Sequence, residues 1–123
     1  MYTIPKNFNL DNLKEATISQ VAFSLNTISL FFDISFENIG FITIEGFFSF
    51  SYGNKKSYYE EIYPIKKDFG LLKLLGKKVI QIQINKKRDV VILEFEDKII
   101  LELMSNEMYE SYTIDINGSQ IIV

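Results

Sequence analysis

Hydrophobic and polar residues alternate with a period of two along much of this chain, the pattern of strands that bury one face. Asn117-Gly118 predicts a tight hairpin turn because both residues tolerate positive φ, and Gly53-Asn54 indicates a second turn. The expected fold is therefore mainly β, an antiparallel sandwich or an open barrel. The alternating segments are 21–25, 28–32, 42–44, 48–52, 80–84, 91–95, 99–103, 112–116 and 120–123.

Helical signals are limited to two short segments. Asn12 is a candidate cap for a turn over Leu13–Ala16, with Glu15 three residues after the cap. Leu71–Leu75, closed by Gly76, is the other candidate. Neither segment is long enough to form an independent helix, so we expect one or two helical turns.

The two halves of the chain resemble each other. Leu13–Val21 aligns with Leu74–Ile82, and Ile28–Asp33 aligns with Val91–Glu96. We expect a single domain, 1–123, built from two similar β-meanders, 13–52 and 74–116, and joined by a loop over 53–70. Internal duplication is one explanation, and the general likeness of all β-meanders is the other.

The chain contains neither histidine nor cysteine. These residues supply most proton transfer at neutral pH, thiolate chemistry and zinc binding, so we expect no metal, no cofactor and no catalytic residues. Glu94 with Glu96 or Glu102 is nominally a glycosidase-type carboxylate pair, but there is no tryptophan and no signature of a sugar cleft. An enzyme is not expected.

The N-terminal residues lack a basic head followed by an apolar run, and no stretch approaches the length of a membrane span. We therefore expect a cytoplasmic protein without a membrane partner.

Charge is segregated along the sequence, with eight basic residues against one acid in 66–88 and eight acids against one lysine in 89–123. The basic run includes the only arginine and lacks the series of aromatic residues between its lysines that a stacking platform requires, so a nucleic-acid partner is not expected. Glu94, Glu96 and Glu102 are expected on neighbouring strand positions. They form either an acidic stripe for a basic partner or an ordinary solvated face.

The segment 58–64 combines tyrosines with acids and is the best candidate for a contact loop. Its alternative role is to cover the core. The candidate partner-binding residues are Tyr58, Tyr59, Glu60, Glu61, Tyr63, Glu94, Glu96 and Glu102.

The stretch 76–103, GKKVIQIQINKKRDVVILEFEDKIILEL, followed by YESYTI (109–114) and the ending GSQIIV (118–123), resembles small bacterial β-rich proteins. That family is largely uncharacterised, and similar proteins serve as immunity partners of toxins, including those of contact-dependent growth inhibition. The resemblance implies a non-catalytic protein that binds a cognate toxin.

The leading hypothesis is therefore an immunity protein that binds a toxin domain, such as a nuclease, and blocks its active site or substrate groove. One alternative is a structural or adaptor domain that forms a homodimer through an edge strand at Ile121-Ile122-Val123. A second is a small-ligand carrier with a cavity lined by Phe31, Phe36, Phe41 and Phe47.

Overall fold

Ten strands and two 3-10 turns make up the part of the chain that the computed structural model describes, residues 3–105 and 110–123. The 3-10 turns are Leu10–Leu13 and Leu71–Leu74. The strands are β1 Thr17–Phe23, β2 Ile28–Ile34, β3 Glu37–Ile44, β4 Phe48–Tyr52, β5 Lys55–Tyr59, β6 Val79–Ile84, β7 Val91–Phe95, β8 Ile99–Leu103, β9 Tyr112–Ile116 and β10 Ser119–Ile122.

The strands form two antiparallel sheets of five strands each. Sheet A has the order β1-β2-β3-β9-β10, and sheet B has the order β5-β4-β8-β7-β6. The expectation of a mainly β, antiparallel fold with one or two helical turns is confirmed. The sheets do not close into a barrel.

A single hydrophobic core lies between the sheets. Alternate residues of β2 and β3 in sheet A, such as Leu30 and Ile42, are buried, as are Leu93 and Leu101 in sheet B. The alternation in the sequence thus marks the face of each central strand that packs into the core. Burial of that apolar face is the main favourable contribution to folding. In the described residues no helix is long and apolar enough to cross a bilayer.

The two sheets are hydrogen-bonded to each other at one corner, where β1 and β6 begin. The Ile18 amide donates to the Lys77 carbonyl at 3.0 Å, and the Val79 amide donates to the Ala16 carbonyl at 2.8 Å. Each strand then carries a β-bulge, after Ile18 in β1 and after Val79 in β6. A bulge increases local twist and bends the strand, which lets each strand pair at the corner and then within its own sheet.

The two halves of the chain have the same order of elements: a 3-10 turn, a three-stranded meander and a hairpin. Each hairpin joins the meander of the other half, because β4-β5 extends β8 and β9-β10 extends β3. The two bulges are equivalent, as are the inward pairs Ile18 with Phe32 and Val79 with Phe95. A common origin of the halves stays a prediction.

Three local details differ from the sequence-based expectations. The first turn is Leu10–Leu13, capped by the Asn9 side chain, and lies one turn before the segment that Asn12 was expected to cap. The interval 53–70, expected to be a loop, contains β5, an edge strand whose polar residues give no alternation. Ile80 is exposed because the bulge shifts the phase of β6.

Gly40 allows β3 to approach β9 closely in the middle of sheet A. A Cβ atom on Gly40 would lie 2.0 Å from the Asp115 carbonyl oxygen, far inside van der Waals contact. Substitution therefore has to push two paired backbones apart.

We predict that Gly40→Ala lowers the free energy of unfolding by about 1–3 kcal/mol or more, the usual cost of overpacking. Chemical denaturation measures this loss. Gly46→Ala is the matched control, because its Cβ would lie 3.4 Å from the Ser111 Cα. Equal stability of the two variants would contradict the close approach.

Candidate functional site

A concavity of about 610 Å³ in the described residues forms an acidic cleft. Its lining includes four glutamates and no lysine or arginine, together with the rings of Phe47 and Tyr63. We call this concavity the cleft. The lining residues are Glu45, Gly46, Phe47, Glu60, Glu61, Ile62, Tyr63, Glu110 and Ser111.

The cleft lies where the chain crosses between the sheets. The connection from β3 to β4 carries it from sheet A to sheet B, and the connection from β8 to β9 carries it back. The amides of Glu45 and Gly46 both donate to the Ser111 carbonyl, at 2.9 and 3.1 Å, so the two connections lie side by side. The segment after β5 forms the remaining wall, with Ile62 buried and Tyr63 exposed.

A polar cluster around Asp89 holds both ends of the β8–β9 connection. The Ser105 hydroxyl donates to the Asp89 carboxylate at 3.1 Å, and the buried Tyr112 hydroxyl donates to the Asp89 carbonyl at 2.8 Å. Asn85 donates to the same carboxylate at 2.6 Å. Asp89 thereby positions the wall of the cleft that contains Glu110 and Ser111.

These contacts shift two pKa values in opposite directions. The pKa of Asp89 lies below its ordinary value of 3.8, first because of the hydrogen bond from Asn85; burial opposes the shift, and Ser105 and Lys87 add to it. Burial raises the pKa of Tyr112, with the nearby Asp89 charge adding to the effect. The cluster is therefore an ionised carboxylate beside a neutral phenol at neutral pH.

A second group of predicted residues lies on the outer face of sheet B. Tyr58 pairs with Ser49, and Ser49 pairs with Glu102 on the next strand, so the three form one row across the sheet. Glu94 is a diagonal neighbour of Glu102, because Glu94 pairs with Ile100 and Glu102 pairs with Ile92. Both glutamates are half-buried.

Lys56 partly balances this acidic face. Its ammonium lies 4.9 Å from the centre of the Tyr58 ring. Its pKa is raised above 10.5, first by a hydrogen bond with Tyr58 and then, against an opposing desolvation effect, by the charge of Glu102. The face is a mixed patch of one lysine, one tyrosine and two glutamates.

Phe47 joins the cleft to this patch. It lines the cleft, and its ring packs edge-on against Tyr58 with ring centres 6.5 Å apart. Six of the eight predicted contact residues therefore lie on one continuous surface. They are Glu60, Glu61 and Tyr63 in the cleft and Tyr58, Glu94 and Glu102 on the sheet.

The other two predicted residues lie elsewhere. Tyr59 is half-buried with its ring 5.1 Å from that of Phe48 and 4.8 Å from that of Phe69, on the core side of β5. Glu96 follows β7, and its carboxylate accepts a hydrogen bond from the Lys78 amide at 3.0 Å. Tyr59 therefore covers the core, and Glu96 helps to hold the corner between the sheets.

The residues named for the two alternative functions are also located. Phe31 and Phe41 contact each other on the outer side of sheet A, with ring centres 5.9 Å apart, while Phe36 is fully exposed and Phe47 lines the cleft. They do not share a cavity between the sheets, because Phe31 and Phe41 alternate with the buried positions of their strands. β10 is the outer strand of sheet A, and Val123 after it is buried.

Sequence reasoning missed Glu45, Phe47 and Glu110 as part of the site. Glu45 and Phe47 lie between β3 and β4, and Glu110 lies between β8 and β9. These two segments are adjacent only because each hairpin pairs with the meander of the other half. A cluster of glutamates next to strand ends was the available signal, but its members are far apart in sequence.

The arrangement is suited to binding a cationic segment. In residues 3–105 and 110–123 no group of three or more acidic side chains is placed to hold a metal ion. Carboxylates around a concavity with aromatic walls attract cationic side chains and offer apolar contact at the same place.

Comparisons with protein-family models, with curated proteins and with solved structures find no match. The resemblance to immunity-type proteins therefore stays a prediction.

The stability of the protein is expected to fall in acid through Asp89. Its lowered pKa means that the folded state binds the proton less readily than the unfolded state does. The Asp89 carboxylate therefore contributes its full stabilisation above pH 3.8, and this stabilisation is lost as the pH falls through the lowered pKa. We predict that Asp89→Asn costs about 1–3 kcal/mol at neutral pH, because hydrogen-bond partners lose their acceptor.

Urea denaturation from neutral pH to below 3.8 measures the difference between the wild type and Asp89→Asn. The difference should shrink as the pH falls. Asp11→Asn, which removes an exposed carboxylate, is the control. A difference that stays constant with pH would contradict the role assigned to the charge of Asp89.

Proposed function

We propose that this chain is a cytoplasmic immunity protein that binds a cognate toxin domain and blocks its active site or substrate groove. The observation that carries the proposal is the continuous surface formed by the cleft, Phe47 and the outer patch of sheet B. The resemblance of segments 76–103, 109–114 and 118–123 to immunity-type proteins supports it.

The chemistry of the surface indicates what the toxin presents. The glutamates of the cleft favour a segment rich in lysine or arginine, and Phe47 and Tyr63 favour an apolar or aromatic side chain within it. A nuclease carries such a basic segment because its groove has to attract phosphates. The carboxylates of the cleft then occupy the positions where the phosphates of the substrate bind.

A protein with this role needs affinity and requires no reaction of its own, so the proposal assigns no catalytic residue and no cofactor. Electrostatic attraction between the cleft and the groove accelerates the encounter, while the aromatic contacts slow dissociation. The two contributions are separable by kinetics.

The primary test is co-expression with the product of the neighbouring upstream gene. We expect the chain to rescue growth and to co-purify with that product. Failure of both would remove the immunity role.

The electrostatic part is tested with the double variant Glu60→Lys/Glu61→Lys, which reverses two charges of the cleft. We predict an association rate at least about tenfold lower at low salt, with a smaller difference at high salt, because salt screens exposed charges. Surface plasmon resonance at several ionic strengths measures the rate.

Asp11→Lys is the matched control, because Asp11 is exposed on the first 3-10 turn, away from the cleft lining. Tyr63→Ser should instead raise the dissociation rate, since it removes apolar contact. An association rate that is the same for the double variant and for Asp11→Lys would overturn the acidic cleft as the docking site.

A further inference from the structure

The two halves of the chain have the same order of elements, so they can be compared feature by feature. Features that both halves share are explained by the architecture, whereas a feature present in one half alone is available for function. Among residues 3–105 and 110–123, two such features lie outside the cleft. One is a protruding hairpin tip in the first half, and the other is a pocket in the second half.

The hairpin between β2 and β3 is four residues longer than its counterpart between β7 and β8. Beyond the equivalent pairs Phe32–Gly40 and Phe95–Ile99, the first hairpin has seven residues, 33–39, and the second has three, 96–98. We call residues 33–39 the Phe36 tip. None of these residues belongs to the fully buried core, and Ile39, next to Gly40, is the one that packs against it.

The Phe36 tip holds an aromatic ring in water on a strained backbone. Ser35 and Phe36 have φ values of 53° and 66°, a region that favours glycine and asparagine, and the Phe36 side chain is fully exposed. Two-residue turns of this kind normally contain Asn-Gly. Asp97 and Lys98 in the equivalent hairpin also have positive φ values, 65° and 60°, so the feature particular to the first half is the large exposed ring. A fully solvated apolar ring in this conformation is costly for the isolated molecule, and such costs concentrate at functional positions.

Asn38 makes the tip rigid. Its side-chain amide donates to the carbonyls of Phe32 and Gly40, both at 3.3 Å, and lies 3.4 Å from the Asp33 carboxylate. These hydrogen bonds tie together the two strands at the base of the tip. Asp33 and Glu37 flank it, and the tip contains no lysine or arginine.

The complementary feature is a pocket of about 300 Å³ at the end of the β4-β5 hairpin, which we call the lysine-rimmed pocket. Its wall is aromatic, and lysines stand at its edge. Lys73 lies 5.7 Å from the centre of the Tyr52 ring, and Lys67 lies 5.2 Å from that of Phe69. The lining residues are Phe50, Tyr52, Lys55, Ser57, Tyr59, Phe69, Gly70 and Lys73.

The equivalent pocket of the other half has a different chemistry. It lies between the cap of the first 3-10 turn and the β9-β10 hairpin, and its volume is about 240 Å³. Asn12 corresponds there to Lys73, Ser119 to Lys55 and Ile116 to Tyr52. Phe8 corresponds to Phe69, so both pockets have an aromatic residue at that place, whereas the lysines and Tyr52 are found in the second pocket alone. The fold therefore does not require the cationic edge of the lysine-rimmed pocket.

The lysines of this pocket are free to accept a charged partner. In residues 3–105 and 110–123 the lysine ion pairs are Lys77–Asp97 and Lys78–Glu15, so Lys55 and Lys73 hold no carboxylate. The pocket thus fits a single aromatic ring accompanied by carboxylates. The Phe36 tip supplies that combination.

We propose that the Phe36 tip of one molecule inserts into the lysine-rimmed pocket of a second copy of this chain. The ring packs against the aromatic wall, and Asp33 and Glu37 meet the lysines at its edge. Tip and pocket are different patches, so the contact is head-to-tail and leaves one free tip and one free pocket in every pair. Association then continues to larger species or closes into a ring.

Sedimentation velocity over a wide range of concentration tests the self-association. We expect the wild type to form species larger than a dimer and to dissociate at high salt. Phe36→Asn should be monomeric under the same conditions, and asparagine tolerates positive φ, so this variant keeps its fold. Leu25→Ser, which removes another exposed apolar side chain, is the control and should associate like the wild type.

Mixing two defective proteins provides the sharper test. Lys55→Glu/Lys73→Glu removes the pocket edge and keeps the tip, while Phe36→Asn keeps the pocket. Each should be monomeric alone, and a mixture should form a complex of one molecule of each that does not grow. No complex in the mixture, a monomeric wild type, or Phe36-dependent binding to lipid vesicles without self-association would overturn the proposal.

The proposal is independent of the immunity role. β3 runs from the tip to the cleft, and its eight residues separate them by roughly 25 Å at the usual rise of a strand. Glu60→Lys/Glu61→Lys should therefore still self-associate, and Phe36→Asn should still rescue growth from the toxin. Loss of self-association and loss of toxin rescue can therefore be measured separately.

Discussion

The backbone pairing between the starts of β1 and β6 is the contact on which the arrangement of the sheets depends. Four hydrogen bonds of 2.8–3.0 Å join residues 15–18 to residues 76–79, and they fix the sheets to each other where their edges meet. The same region contains both bulges and the ends of both 3-10 turns. With this corner fixed and the hairpins exchanged, the crossing connections are brought side by side at the opposite ends of the central strands, where the cleft forms.

The sequence predicted the class of fold because central strands leave a strong signal. In residues 28–32 of β2, in β7 and in β8 every second residue is buried, and a register error would expose an entire apolar face to water. The signal fails where a strand is bulged or lies at an edge. Ile80 follows the alternation of its strand yet is exposed. β5 shows no alternation of apolar and polar residues, because four of its five residues are exposed.

The candidate site was only partly accessible to the same reasoning. The segment 58–64 and the pair Glu94 and Glu102 were identified, because local composition and the period of two are sufficient to place them. Phe47 joins these two groups, and Glu45 and Glu110 complete the cleft. Both facts depend on contacts between the β3–β4 and β8–β9 segments, which the sequence does not reveal. Tyr58 and Tyr59 are neighbours in sequence but point to opposite faces of β5, so composition could not separate the tyrosine on the outer face from the one on the core side.

The exchange of hairpins between the halves has a consequence for how the chain acquires its fold during synthesis. The meander of the first half emerges from the ribosome with its own hairpin, but that hairpin belongs to a sheet whose other strands have not yet been made. Sheet A is complete only after β9 and β10 have been synthesised. Folding is therefore coupled to translation of nearly the entire described chain, and two nascent chains on neighbouring ribosomes are able to exchange hairpins with each other instead of within themselves.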